Sequence, residues 1–85
     1  MKVSYSKDFI KAAGLLNKAQ KTRLKQRISL YLENPRDQQL RNHKLAGQWN
    51  GYSSINITGD LRAVFEQTET EVYFIAVGTH AQLYK

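Results

Sequence analysis

The sequence contains no cysteine, one proline and five glycines. Without cysteine, disulfides, thiolate metal sites and a cysteine nucleophile are excluded. No stretch approaches the roughly 20 apolar residues of a membrane span, and the opening MKVSYSKDF lacks the apolar run of a secretory signal. The expectation is a cytoplasmic protein with no membrane partner. The glycines, at positions 14, 47, 51, 59 and 78, form neither a GxGxxG nor a P-loop pattern. Histidine is scarce too. His43 and His80 are the only two, and their spacing matches no zinc signature, so neither metal nor cofactor is expected. Ser53 and Ser54 stand at no triad spacing, which argues against a serine hydrolase.

Acidic residues are sparse in the first part of the chain. Residues 1–50 carry 11 Lys/Arg against 3 Asp/Glu, whereas residues 51–85 carry 2 against 4. Positive charge concentrated in this way suits a polyanionic partner, and it suits equally a pair of solvated basic helices. With 85 residues there is room for one domain, 1–85, with one core.

The pattern of elements changes at Pro35. Val3 to Tyr5 is a short β-prone piece. Ser6 then reads as a helix N-cap, with Asp8 in the first turn and Phe9, Ile10, Ala13 and Leu16 at helical spacing, predicting a helix from Lys7 to about Leu16. A second helix is predicted from about Ala19 to Glu33, with Leu24, Ile28, Tyr31 and Leu32 as its apolar stripe. Its outer face is basic: Lys21, Arg23, Lys25 and Arg27. Pro35 ends it. Residues 36–50 are polar and aperiodic and read as a loop with room for a short turn of helix. Beyond Gly51 the alternation is that of strands: Tyr52 to Thr58, Leu61 to Gln67, and the nearly continuous apolar run Val72 to Val77. The order β-α-α-β-β-β predicts an α+β domain with two N-terminal helices packed on a small antiparallel sheet.

The chemistry on offer is narrow. His80 follows the last strand, where a group with near-neutral pKa can serve as acid or base. Asp60 and Arg62 lie two apart, on one face if both are in a strand. Arg62 could then clamp a phosphate in bidentate fashion, or the pair could be an ordinary surface ion pair. Tyr84 places a phenol near the C-terminus, and Trp49 and Tyr52 offer rings on which a base could stack or which could simply pack inward.

The segments HKLAGQWNGY (43–52), INITGDLRAVFE (55–66) and VYFIAVGTHAQLY (72–84) together resemble the RelE/StbE superfamily of type II toxins, most closely its YafQ-like branch. The combination H-x-L-x-G-x-W-x-G-Y with a terminal G-T-H-x-x-L-Y is fairly specific, and the likeness covers nearly the whole chain. It implies a RelE-like fold, endonucleolytic cleavage of mRNA in the ribosomal A site, and inhibition by a cognate antitoxin. Carried over by position, His43, Asp60 and His80 match the family's acid/base residues, Arg62 its phosphate-binding arginine and Tyr84 its terminal aromatic. The chain departs from the branch at Asn56, where a histidine stands, and at Ala76, where an arginine stands. The chemistry so implied needs no metal, because the RNA 2′-OH attacks its own phosphate. His80 would be the principal acid/base, with Asp60 or His43 as counterpart, Arg62 the clamp and Tyr84 the stacking residue. Lys21, Arg23, Lys25, Arg27, Lys44 and Trp49 would meet ribosomal RNA or mRNA. Two rivals stand beside this reading: a ParE-like gyrase poison of the same fold, and a non-catalytic binding module.

Overall fold

The computed structural model describes residues 1–84. Strand β1 (Lys2–Tyr5) leads into helix α1 (Lys7–Gly14) through Ser6. The Ser6 hydroxyl accepts from the Phe9 N–H at 3.0 Å and donates to the Ile75 carbonyl at 2.9 Å, so one side chain caps the helix and ties it to the sheet. Helix α1 ends at Gly14, two residues short of the predicted Leu16. Helix α2 (Lys18–Glu33) starts on a capping box in which Asn17 and Gln20 satisfy each other's backbone N–H groups. It buries Leu24, Ile28 and Tyr31 as predicted, but Leu32 is 44% exposed and Leu30 packs against the core in its place. Leu32 lies one position beyond the stripe that three turns of helix can aim inward.

Residues 36–50 are more ordered than their composition suggests. They contain two 3-10 turns, Gln38–Leu40 and Gly47–Trp49, and a two-residue strand β2 (His43–Lys44). A strand that short has no period to detect. Leu40, fully buried, anchors the segment to the core.

Strands β3 (Ser53–Thr58), β4 (Leu61–Gln67) and β5 (Glu71–Thr79) follow, then a single turn of helix, α3 (His80–Leu83). The sheet order is β1-β5-β4-β3-β2. The last four strands are antiparallel neighbours, but β1 pairs with β5 in parallel, which makes the sheet mixed rather than antiparallel throughout. The addition of β1 places β5 between two partners; Val72, Phe74 and Val77 of its apolar run enter the core, while Tyr73 stays exposed.

One irregularity sets the two faces of β5. Phe65 pairs with Phe74 and Val64 with Ala76, leaving Ile75 unmatched. This extra residue shifts the alternation, so that Val72, Phe74 and Val77 all join the core. The core face, under α1 and α2, gathers Phe9, Tyr31, Phe65 and Phe74, with Tyr31–Phe65 centroids 4.7 Å apart and Phe65–Phe74 5.4 Å apart. Truncating any of these rings to alanine costs about 3–5 kcal/mol. Ser54, Asn56, Arg62, Val64, Ala76 and Gly78 alternate with core positions and occupy the opposite face, away from the two long helices.

Candidate active site

That opposite face is roofed from two sides, by β2 with the loop after it and by α3. His43 belongs to β2, paired across from Ser54. Its ring is oriented by backbone: Nδ1 lies 2.9 Å from the Arg41 carbonyl. A carbonyl can only accept, so Nδ1 carries a proton, and in the neutral ring Nε2 is then the acceptor. Arg41 reaches this geometry in the left-handed region (φ 47°, ψ 44°), the only described non-glycine residue there. The turn around it is pinned, with Asn42 Nδ2 donating to the Pro35 carbonyl at 3.0 Å and Asp37 capping Gln39 at 2.9 Å.

His80 is held by the start of α3, not by a loop. Thr79 is the N-cap, and Gln82 answers from the third helical position in a second capping box. Gly78 leaves room for the same arrangement, because a Cβ there would lie 2.9 Å from Gln82 Oε1 and push the capping amide aside. The G-T-H motif is thus a strand end, a helix cap and the first helical residue in succession. The Tyr84 ring packs against His80 at a tilt of 60°, centroids 4.7 Å apart. Trp49 donates its indole N–H to the Leu83 carbonyl at 3.1 Å and sets its edge against both Tyr52 and Tyr84. Its position is that of a brace joining the loop to α3.

Between the two roofs lies a cavity of about 310 Å³ lined by His43, Leu45, Ala46, Arg62, His80 and Tyr84. Four of the five residues with expected catalytic roles therefore meet in one place. Two of them bring buried polar atoms without partners, Arg62 Nε and Tyr84 OH. Buried donors are ordinarily satisfied, so these two are exceptions within the site. A guanidinium, a phenol and two imidazoles around a small opening suit an anion that must also exchange protons. Asp60 lies elsewhere, exposed in the turn that precedes β4, and does not line the cavity. It is not in a strand, so the two-residue spacing to Arg62 does not place the two side by side.

The register also locates the two family departures. Asn56 is the cross-strand neighbour of Arg62. Arg62 faces Gly78 and Val64 faces Ala76, so Arg62 and Ala76 are diagonal neighbours on the same side of the sheet. Of the remaining cationic candidates, Lys21, Arg23 and Lys25 are exposed on α2, and Arg27 donates to Gln39 at 3.2 Å. This helix covers the core face, so its charges lie across the sheet from the cavity. Lys44, in β2, is the basic candidate adjoining the cavity wall. The roles of Arg41 and Gln82 were absent from the sequence reading. T-x-x-Q after an apolar run is a legible helix start, whereas nothing in the sequence signals a left-handed arginine.

Comparison with known proteins gives a consistent result. The family model described as the bacterial toxin of type II toxin-antitoxin systems, YafQ, matches residues 1–85. The mRNA interferase toxin YafQ of Escherichia coli K12 is 29% identical over 86 residues, covering 96% of this chain and 94% of that protein. The crystal structure of YafQ from E. coli BL21(DE3) superposes with a TM-score of 0.86 at 26% identity, covering 99% of this chain and 98% of that one. The toxin in the E. coli DinJ–YafQ toxin–antitoxin complex gives 0.82 at 26% identity, covering 99% and 97%.

Proposed function

The chain belongs to the YafQ family of bacterial type II toxins, and from that premise we propose that it is a ribosome-dependent endoribonuclease held in check by a cognate antitoxin in the cytoplasm. The observation that carries the reading is the convergence of His43, His80, Arg62 and Tyr84 on one cavity. Such a set can cleave RNA with no cofactor, because the substrate brings its own nucleophile. His43 Nε2, the acceptor of the neutral ring given the Nδ1 contact, takes the proton of the 2′-OH. The 2′-oxygen bonds to phosphorus while Arg62 and Tyr84 neutralise the charge gathering on the non-bridging oxygens. Protonated His80 donates to the departing 5′-oxygen as its bond to phosphorus breaks. The products are a 2′,3′-cyclic phosphate and a 5′-hydroxyl.

General acid–base assistance contributes roughly 10²–10⁴-fold. The cavity is shallow and grips one phosphate, so alignment of the sugar must come from outside, and the ribosome supplies it by holding the mRNA. The exposed basic face of α2 supports two contacts that exclude each other: ribosomal RNA, or an acidic antitoxin segment that folds on binding. Asp60, exposed in the turn preceding β4, does not line the cavity and is given no part in the proton transfer.

The test is induction in cells followed by mapping of RNA 5′ ends. New hydroxyl-terminated ends within translated codons, absent from untranslated RNA, are the expected result. DNA damage with intact mRNA would instead mean a gyrase-directed toxin, and no change in either would mean a binding module.

A further inference from the structure

The two histidines of the cavity stand on separate pieces of chain, His43 on β2 and His80 on α3. Neither piece is long enough to hold itself. Helix α3 has four residues, and the Tyr84 N–H closes it on the His80 carbonyl at 2.9 Å. A helix of that length does not persist without outside support. The Thr79–Gln82 capping box supports its start. At its other end the last carbonyls have no partner inside the helix, and one of them, on Leu83, accepts from the Trp49 indole N–H at 3.1 Å.

Trp49 comes from the loop that joins β2 to β3, and that loop is tied to itself. The Leu45 N–H donates to the Tyr52 carbonyl at 2.9 Å and closes its neck. Inside the neck, the Tyr52 N–H donates to the Trp49 carbonyl at 3.1 Å and the Trp49 N–H to the Ala46 carbonyl at 3.3 Å. The indole is therefore carried on the same short unit as His43. Its ring stands near perpendicular to Tyr52 and to Tyr84, at 82° and 87° with centroids 6.0 and 6.3 Å away. Tyr84 in turn packs on His80.

We infer, resting on the ribonuclease reading, that Trp49 is a positioning residue: by capping the end of α3 from the β2–β3 loop it fixes the separation of His43 and His80. Trp49 does not line the cavity, so it acts through the two imidazoles. In-line cleavage puts the base on one side of phosphorus and the acid on the other, and the gap between them must match the substrate. A misplacement of about 1 Å costs on the order of 10²-fold in rate. From sequence alone Trp49 is a ring for a base to stack on. In the fold its N–H and two aromatic neighbours are engaged within the protein.

The two roles predict opposite results when the N–H is removed and the ring is kept. Trp49 is the only tryptophan, so global replacement of tryptophan by β-(3-benzothienyl)alanine, which has the same shape and no donor, changes that position alone. Trp49→Phe is the genetic counterpart. Amide hydrogen exchange at Gln82 and Tyr84 reads the hold on α3, with the amides of β4 as reference. Exchange at both should rise about fivefold, the worth of one net hydrogen bond, with β4 unchanged. Cleavage at saturating ribosomes should fall at least tenfold while ribosome affinity is retained. Unchanged exchange at α3 overturns the cap. Faster exchange with an undiminished cleavage rate overturns the positioning role, and a loss confined to ribosome affinity would make Trp49 an RNA contact instead. A wild-type chain that cuts no mRNA overturns the ribonuclease reading, while the exchange result still decides whether Trp49 holds α3.

Discussion

Substitution at Arg41 isolates the tautomer of His43 from every side-chain contact in the site. The Arg41 side chain is exposed, so changes there act through the backbone. Holding an L-residue in the left-handed region costs about 1–2 kcal/mol, a cost glycine escapes and asparagine largely tolerates. Valine is worse than arginine, because a β-branched side chain makes that conformation a true outlier. Arg41→Val should therefore turn the peptide and withdraw the carbonyl from Nδ1. A net hydrogen bond of about 1 kcal/mol is then lost, and at 1.4 kcal/mol per decade the productive tautomer falls about fivefold. Cleavage should fall by the same modest factor, against roughly 10²-fold for His43→Ala, which removes the base altogether. Arg41→Gly and Arg41→Asn should keep wild-type cleavage, and the glycine variant should be slightly more stable. Nitrogen-15 NMR of the imidazole reads the proton on Nδ1 directly, independently of activity. A wild-type protein carrying that proton on Nε2 would refute the reasoning, and so would a valine variant with unchanged tautomer and rate.

His80→Ala should leave the fold within about ±0.5 kcal/mol, since the side chain is exposed, yet lower cleavage by roughly 10²-fold while ribosome and antitoxin binding persist. An equally active variant would make His80 a bystander. Changing Lys21, Arg23, Lys25 and Arg27 together to Gln should flatten the salt dependence of ribosome binding by about three units with chemistry intact, and an unchanged slope would place the RNA contact elsewhere. Arg62→Ala should suppress cleavage, and adding Ala76→Arg to it should restore part of the rate, because the two positions are diagonal neighbours on one face; no recovery would show that the guanidinium must come from β4. Burial raises the Tyr31 pKa above its ordinary 10.0. The unfolded chain then ionises before the folded one, so the stabilisation is complete below about pH 10 and declines as pH rises toward the folded value. Urea unfolding from about pH 9 to 11 should show that decline, and Tyr31→Phe should lessen it.

How far the sequence reveals this protein depends on the length of each element. Helix α2 and strands β4 and β5 announce themselves because each repeats its period several times, and their observed bounds differ from the predicted ones by only a few residues. Strand β2 is two residues long and repeats nothing, yet it carries His43. Its existence depends on pairing with β3 and on Leu40 being fully buried, neither of which is a local property. The parallel placement of β1 is non-local in the same sense. Strand propensity at Val3 to Tyr5 says that a strand forms there, and only the tertiary arrangement selects β5 as its neighbour.

The same division runs through the site. The family resemblance singled out His43, Arg62, His80 and Tyr84 by position, and these four line one cavity. It could not say that Asp60 stands outside the cavity, since that depends on where the turn ends and β4 begins. Nor could it interpret Ala76. Read along the chain, an alanine in place of an arginine is a missing cation. Read across the sheet, Arg62 faces Gly78 while Ala76 lies one diagonal step away, so a guanidinium still reaches that surface from the neighbouring strand. Arg62 also lines the cavity with His43, His80 and Tyr84, so that guanidinium stands beside both imidazoles.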